Sequence, residues 1–243
     1  MDLAAGALGW LIDPAHWQGP DGIPTRIVEH LVISAASVVV AILIALPIGL
    51  WIGHTGRFAF LAVNIANIGR AIPSYGAMAM IWPISLAVSP EYGLNLIPTF
   101  GAMTLLAIPP IMVNAYAGIR EVDRDLVEAG RGMGMRERQI LGRIELPIAL
   151  PVAVGGIRTA AVQVVATTTL GAVLGLGGLG RYIIDGIARR DFERLWAGVL
   201  LVAALAILTE FALALVQRRL TGPGLRQRGD RAYRSVTETM TPA

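Results

Sequence analysis

Apolar residues run along this chain in stretches too long for the elements of a soluble fold. The segment 27–52 is apolar apart from Glu29 and His30 near its start, long enough at ~1.5 Å per residue to cross a bilayer with some tilt. The segments 96–119 and 195–216 have the same character, and 148–176 shares it while carrying Arg158 and Gln163. Between the first two lies 58–88, longer than one span needs and interrupted by Asn64, Asn67, Arg70, Pro73 and Pro83. Pro73 predicts a break there, because proline removes a helix hydrogen bond and clashes with the preceding turn.

Arginine placement orients these spans, since short cytoplasmic loops carry the excess of basic residues. Segment 120–143 holds six arginines (Arg120, Arg124, Arg131, Arg136, Arg138, Arg143) and 218–234 another six, whereas 1–26 has one arginine against three aspartates and 89–96 has none. The first two are expected in the cytoplasm and the last two outside. An even number of crossings must then separate 53–57 from 120–143, so 58–88 crosses once: 58–71 reads as an amphipathic elbow at the cytoplasmic interface and 72–88 as the second span. The expected architecture is an all-α, polytopic helical membrane protein with five spans (27–52, 72–88, 96–119, 148–176, 195–216) within a membrane domain 27–217. An extracytoplasmic leader 1–26, a cytoplasmic loop 120–147 and a basic cytoplasmic tail 218–243 complete it, N-terminus out and C-terminus in. The loop 177–192 runs against the charge rule, placing Arg181, Arg189 and Arg190 outside with Asp185 and Asp191 as partial offset.

Composition agrees. Hydrophobic residues make up 55% of the 243 and charged residues 15%, against about 25% charged in soluble domains. All 20 basic residues are arginine, and the net charge of +3 gives no reason to expect nucleic acid as a partner. Without cysteine there is no disulfide, thiolate nucleophile or sulfur metal site, and His16, His30 and His54 are too scattered to suggest a metal centre. The first 25 residues lack the basic start and continuous apolar core of a cleavable signal.

The cytoplasmic loop is built as a docking element rather than a tether. Asp125 followed by Glu128 resembles a capping box, with Asp123 and Asp125 placed at a helix N-terminus. Gly132 and Gly134 are expected to end that helix in a sharp turn, and 136–143 to form a second helix ended by Pro147. Leu126, Val127, Met133, Met135, Ile140 and Leu141 are expected to supply an apolar contact surface. The same loop carries Glu128, Ala129, Gly130, Gly134, Ile144, Leu146 and Pro147 at the spacings of E-A-A-x3-G-x9-I-x-L-P, with Gly130 for the second alanine.

That pattern resembles the loop of the membrane subunits of binding-protein-dependent ABC importers, with a five-helix MetI-like fold. The likeness extends over 27–217, where 67–80, 108–123 and 156–191 look like the osmoprotectant branch that carries glycine betaine, carnitine and choline; methionine-type permeases share fold and loop. The resemblance implies that those loop residues couple the chain to separate ABC ATPase subunits holding ATP and magnesium. It implies further partners: a second permease subunit, identical or paralogous, and an extracytoplasmic solute-binding protein. The chain itself has no G-x-x-x-x-G-K-[ST] and no cofactor or metal site is expected on it.

No G-x-S-x-G, H-E-x-x-H or paired-carboxylate constellation marks an enzyme. Gly175, Gly177 and Gly180 fit G-x-G-x-x-G but close an apolar span with no βαβ unit around them; with Gly178 they read as a bend at the outer end of a helix, in functional terms a gate hinge. Polar residues in hydrocarbon face protein or a cavity, which makes Tyr75, Trp82, Asn114, Gln163 and Thr167 the candidate translocation path. Against this, Tyr75 and Trp82 also suit an interfacial belt, and threonine hydroxyls bond back to their own helix. Arg158 and Glu210 fall at similar depths on antiparallel spans and are expected to pair. A secondary transporter is the alternative, but no internal repeat of the kind such folds use is visible. A membrane scaffold that only tethers a partner would leave the polar positions unexplained.

Overall fold

A computed structural model describes residues 3–60, 64, 69 and 72–220, and among these every regular element is helical. Helix α1 (Leu3–Ile12) and a 3-10 turn at Pro14–Trp17 lead into α2 (Ile23–Thr55). Then come α3 (Ser74–Val88), α4 (Leu96–Arg120), the loop helices α5 (Arg124–Gly132) and α6 (Glu137–Ile140), and α7 (Leu146–Thr167). A 3-10 segment, Thr168–Leu174, ends α7, and α8 (Gly180–Arg189) and α9 (Phe192–Leu220) follow.

Among the described residues, Ile23–Thr55, Leu96–Arg120, Glu137–Leu174 and Phe192–Leu220 are long and apolar enough to cross a membrane. The span expected at 72–88 takes the form of α3, whose 15 residues reach only about 22 Å, less than the ~30 Å hydrocarbon core. Pro73 stands immediately before α3 in an extended conformation, which is where a proline that cannot continue a helix belongs. The elbow expected at 58–71 and the tail beyond Leu220 fall largely outside the described residues.

Helix α4 is the centre of the bundle, with α2 and α7 packed on it and α3 along its flank. Met103, Ala107 and Ile111 of α4 meet Ala41 and Ala45 of α2, Met78 of α3, and Ala160 and Val164 of α7, all fully buried. Such close approach needs small residues, because packing rather than water exclusion holds membrane helices together. A Cβ on Gly49 of α2 would sit 2.5 Å from the Met112 carbonyl oxygen, and one on Gly156 of α7 would sit 2.6 Å from both Asn114 Cβ and the Pro110 oxygen. The outer faces are the reverse: Val32, Val39 and Leu43 of α2 and Leu208, Phe211 and Leu215 of α9 are exposed and apolar, a patch that a soluble protein would hide and a bilayer solvates.

The leader does not trail free. Helix α1 packs on α9, Trp10 stacks on His16 at 3.9 Å and meets the edge of Tyr182, and the Tyr182 hydroxyl donates to the Asp21 carbonyl at 2.6 Å. Burial pushes that phenol up to about 12, despite the nearby Arg26 and Arg194, so it stays a neutral donor.

Candidate functional site

The loop between α4 and α7 is a folded unit with its own small core. Asp123 caps α5, its side chain accepting the Asp125 N–H at 3.0 Å. This corrects the expected capping box, which placed the cap two residues later. Helix α5 ends after Gly132; Gly134 has a φ of +79°, a left-handed conformation that side chains resist, and its N–H donates to the Arg131 carbonyl at 2.9 Å. Arg131 then reaches across the turn to Glu137 through two contacts, 2.9 and 3.2 Å.

Helix α6 starts where expected and departs from expectation at its C-terminal end. It opens with the Gln139 side chain accepting the Arg136 N–H at 2.8 Å, and it does not stop before Pro147. Instead it passes through a π segment, Leu141–Glu145, straight into α7. In that wider turn the Leu146 N–H bonds to Leu141, five residues back, so the N–H that Pro147 lacks falls where the regular ladder is already broken.

The expected apolar surface divides in two. Val127 and Ile140 turn inward with Val122, packed by Met135, Ile144 and Ile148, and Leu141 is half-buried. Gly130 belongs to this inner face, where a Cβ would lie 2.8 Å from Ile144 Cδ1. Facing the other way are Leu126, 44% exposed, and Met133, 75% exposed, with Glu128 and Ala129 between them. A loop that buries three apolar residues in its own core and leaves two large ones uncovered has a surface shaped for another molecule. Pro147 and Leu146 lie behind it, in the first turn of α7.

The polar candidates in the spans do not form one hydrogen-bonded cluster. Tyr75 and Trp82 are exposed on α3 and Gln163 is exposed on α7. The Asn114 side chain donates to the Pro110 carbonyl of its own helix at 2.7 Å, and Thr167 donates to the Gln163 carbonyl at 2.7 Å. A cavity of about 150 Å³ between α3 and α4 is lined mainly by apolar residues and includes none of them. Arg158 and Glu210 do meet, Nε to carboxylate oxygen 3.0 Å apart, and Gln217 joins them by accepting from Arg158 at 2.6 Å.

At the expected gate hinge, Gly175 and Gly178 have left-handed φ values of +86° and +85°. Gly175 has open space around it; a Cβ on Gly177 would strike Glu29, and one on Gly180 would strike the Thr169 backbone. The tight packing comes from residues that motif reasoning passed over. Glu29 accepts the Gly178 N–H at 2.7 Å, the His30 Nε2–H donates to the Val165 carbonyl at 2.8 Å, and Ser34 donates to Thr168 at 3.1 Å. Their partners lie more than a hundred residues away in sequence, and no spacing rule could pair them.

Residues 30–222 match the family described as the binding-protein-dependent transport system inner membrane component. The chain belongs to that family. As a member it is an inner-membrane component, and the relatives it resembles are transport permeases rather than enzymes. This permease is 33% identical over 199 residues to the carnitine transport permease protein OpuCB of Listeria monocytogenes, covering 82% of this chain and 88% of that one. It is 33% identical, over the same shares, to the choline transport system permease protein OpuBB of Bacillus subtilis. The osmoprotectant import permease protein OsmW of Salmonella typhimurium is 35% identical over 82% of this chain and 91% of its own. Among solved structures, the inward-facing MetNI methionine ABC transporter superposes with a TM-score of 0.75 at 24% identity, over 86% of this chain and 99% of that one. The likeness is one of fold.

Proposed function

We propose that this permease imports a quaternary-amine osmoprotectant, of the glycine betaine, carnitine and choline class, as the membrane subunit of an ATP-driven importer. The observation that carries the reading is the folded loop 120–147: its own core closed, its outer face apolar and uncovered, its turn set by Gly134. Similarity to carnitine, choline and osmoprotectant permeases supports the substrate class.

In this reading Glu128, Ala129, Gly130, Gly134, Ile144, Leu146 and Pro147 make up the coupling element, which seats in an ABC ATPase subunit holding ATP and magnesium. A second permease subunit completes the path, since Tyr75, Trp82 and Gln163 stand on open faces of one subunit, and a solute-binding protein delivers the amine outside. Tyr75 and Trp82 supply aromatic faces of the kind that attract a methylammonium cation. The arginines of 120–143 support a cytoplasmic loop, with N-terminus out and C-terminus in. Gly175, Gly177, Gly178 and Gly180 form the outer gate region, and the ion pair of Arg158 and Glu210 is structural.

The test is uptake of labelled glycine betaine, carnitine, choline and methionine by membrane vesicles holding the permease with its ATPase and binding protein. ATP-dependent uptake of at least one amine, and not of methionine, is expected. Uptake of methionine alone would refute the substrate class.

A further inference from the structure

The cytoplasmic end of α2 meets the loop through charged groups that the outward docking face does not use. His54 stands in the last turn of α2, with Nδ1 2.5 Å from a Glu145 carboxylate oxygen and Nε2 3.2 Å from a Glu137 carboxylate oxygen. Both ring nitrogens therefore face carboxylate oxygens. Glu145 is 4% exposed and ends the π segment where the loop turns into α7. Glu137 is held from its other side by Arg131 of α5. The alternation Arg131, Glu137, His54, Glu145 thus runs from the docking helix through α6 and α2 to the root of α7.

Two physical facts give this arrangement its consequence. A buried carboxylate is costly unless paired, so moving His54 off Glu145 strands a charge, and the contact survives a push on the loop. In addition, the loop is joined covalently to α4 and α7 but not to α2. Any movement that α2 shares with the loop must cross non-covalent contacts, and His54 makes two of them.

We infer that His54 is a positioning residue for coupling: clamped between Glu145 and Glu137, it ties α2 to the loop so that force arriving at α5 moves α2 together with α7. The inference rests on the coupling role proposed for the loop.

The test uses the whole transporter in proteoliposomes, with ATPase subunits and binding protein, reading uptake of radiolabelled glycine betaine per ATP hydrolysed. Because His54→Leu alone leaves Glu145 unpaired and risks the fold, the main variant is His54→Leu with Glu145→Leu, which replaces the pair by apolar groups. The ATPase should still co-purify with it while uptake per ATP falls about tenfold. His54→Arg, which places several donors between the carboxylates, should recover most of the ratio. Normal coupling in the double variant would overturn the inference, as would an intact His54→Arg complex as poorly coupled as the double variant. Gly134→Val in the same assay separates the two readings. Full transport by that variant refutes the coupling role of the loop, whereas its failure beside a fully coupled double variant refutes the tie alone.

Discussion

If the loop docks through the face it leaves uncovered, removing Leu126 and Met133 should weaken ATPase binding while sparing the permease itself. Taking a leucine or methionine side chain fully out of water is worth about 1.5–3 kcal/mol. Met133 is 75% exposed and Leu126 44%, so about 2–3 kcal/mol of burial remains to be gained on docking. Leu126→Ser with Met133→Ser should therefore raise the dissociation constant for the ATPase subunit roughly 30- to 150-fold per loop. The assay is a titration of purified permease with labelled ATPase subunit in lipid nanodiscs, with thermal unfolding of the permease alone beside it. Its melting temperature should stay put, because neither side chain belongs to the loop's core. Val127→Ser is the contrast: Val127 is 2% exposed within that core, so this change should lower the thermal stability of the loop as well as its affinity. Unchanged affinity in the double serine variant would refute the assignment of this face.

Gly134→Val should abolish uptake without loss of membrane insertion. The left-handed backbone there costs a side chain ~1–2 kcal/mol, yet nothing lies within 4 Å of the position, so the damage is to the turn rather than to packing; Gly134→Asn, which tolerates that conformation, should keep most of the activity. Glu128→Lys reverses a charge on the exposed face and should lose uptake with normal insertion, measured by transport beside membrane fractionation. Arg158→Leu strands the Glu210 carboxylate within the span, at up to about 2.5–3.5 kcal/mol, whereas Glu210→Leu leaves Arg158 its bond to Gln217 and should cost less. The double variant should regain most of the lost stability in thermal unfolding; additive losses would refute a structural pair.

The long spans were legible because hydrocarbon demands uninterrupted apolar sequence, and the loop's turn because glycine at position 134 suits a left-handed backbone. What could not be read is what depends on helices meeting. Val127 and Leu126 are equally apolar neighbours, and only the direction of α5 decides that one closes the loop's core while the other stays outside. Pro147 reads as a stop signal, but the π turn before it absorbs the missing bond. Thr167 and Asn114 look like pore residues from their polarity, and both give that polarity back to their own helix. His30 and His54 looked unremarkable as isolated histidines; each is bonded to a partner brought near only by α2 lying beside the 137–174 helix.

That packing bears on how the permease can move. Helix α2 is fastened to the 137–174 helix near both ends, by His30 on Val165 and Ser34 on Thr168 at one and by His54 on Glu145 at the other. It also holds the chain beyond Gly175, through Glu29 on Gly178. Gly175 has room to bend, but the residues on either side of it are held by one helix, so a bend there must first release Glu29 or His30. With α4 packed against both α2 and α7, these helices are expected to move as one body. Helix α3, by contrast, packs mainly on α4 and leaves Tyr75, Met80 and Trp82 exposed. A push at the loop should therefore appear as displacement of the whole body against whatever covers α3, with the glycines of 175–180 bending only where the Glu29 contact gives way.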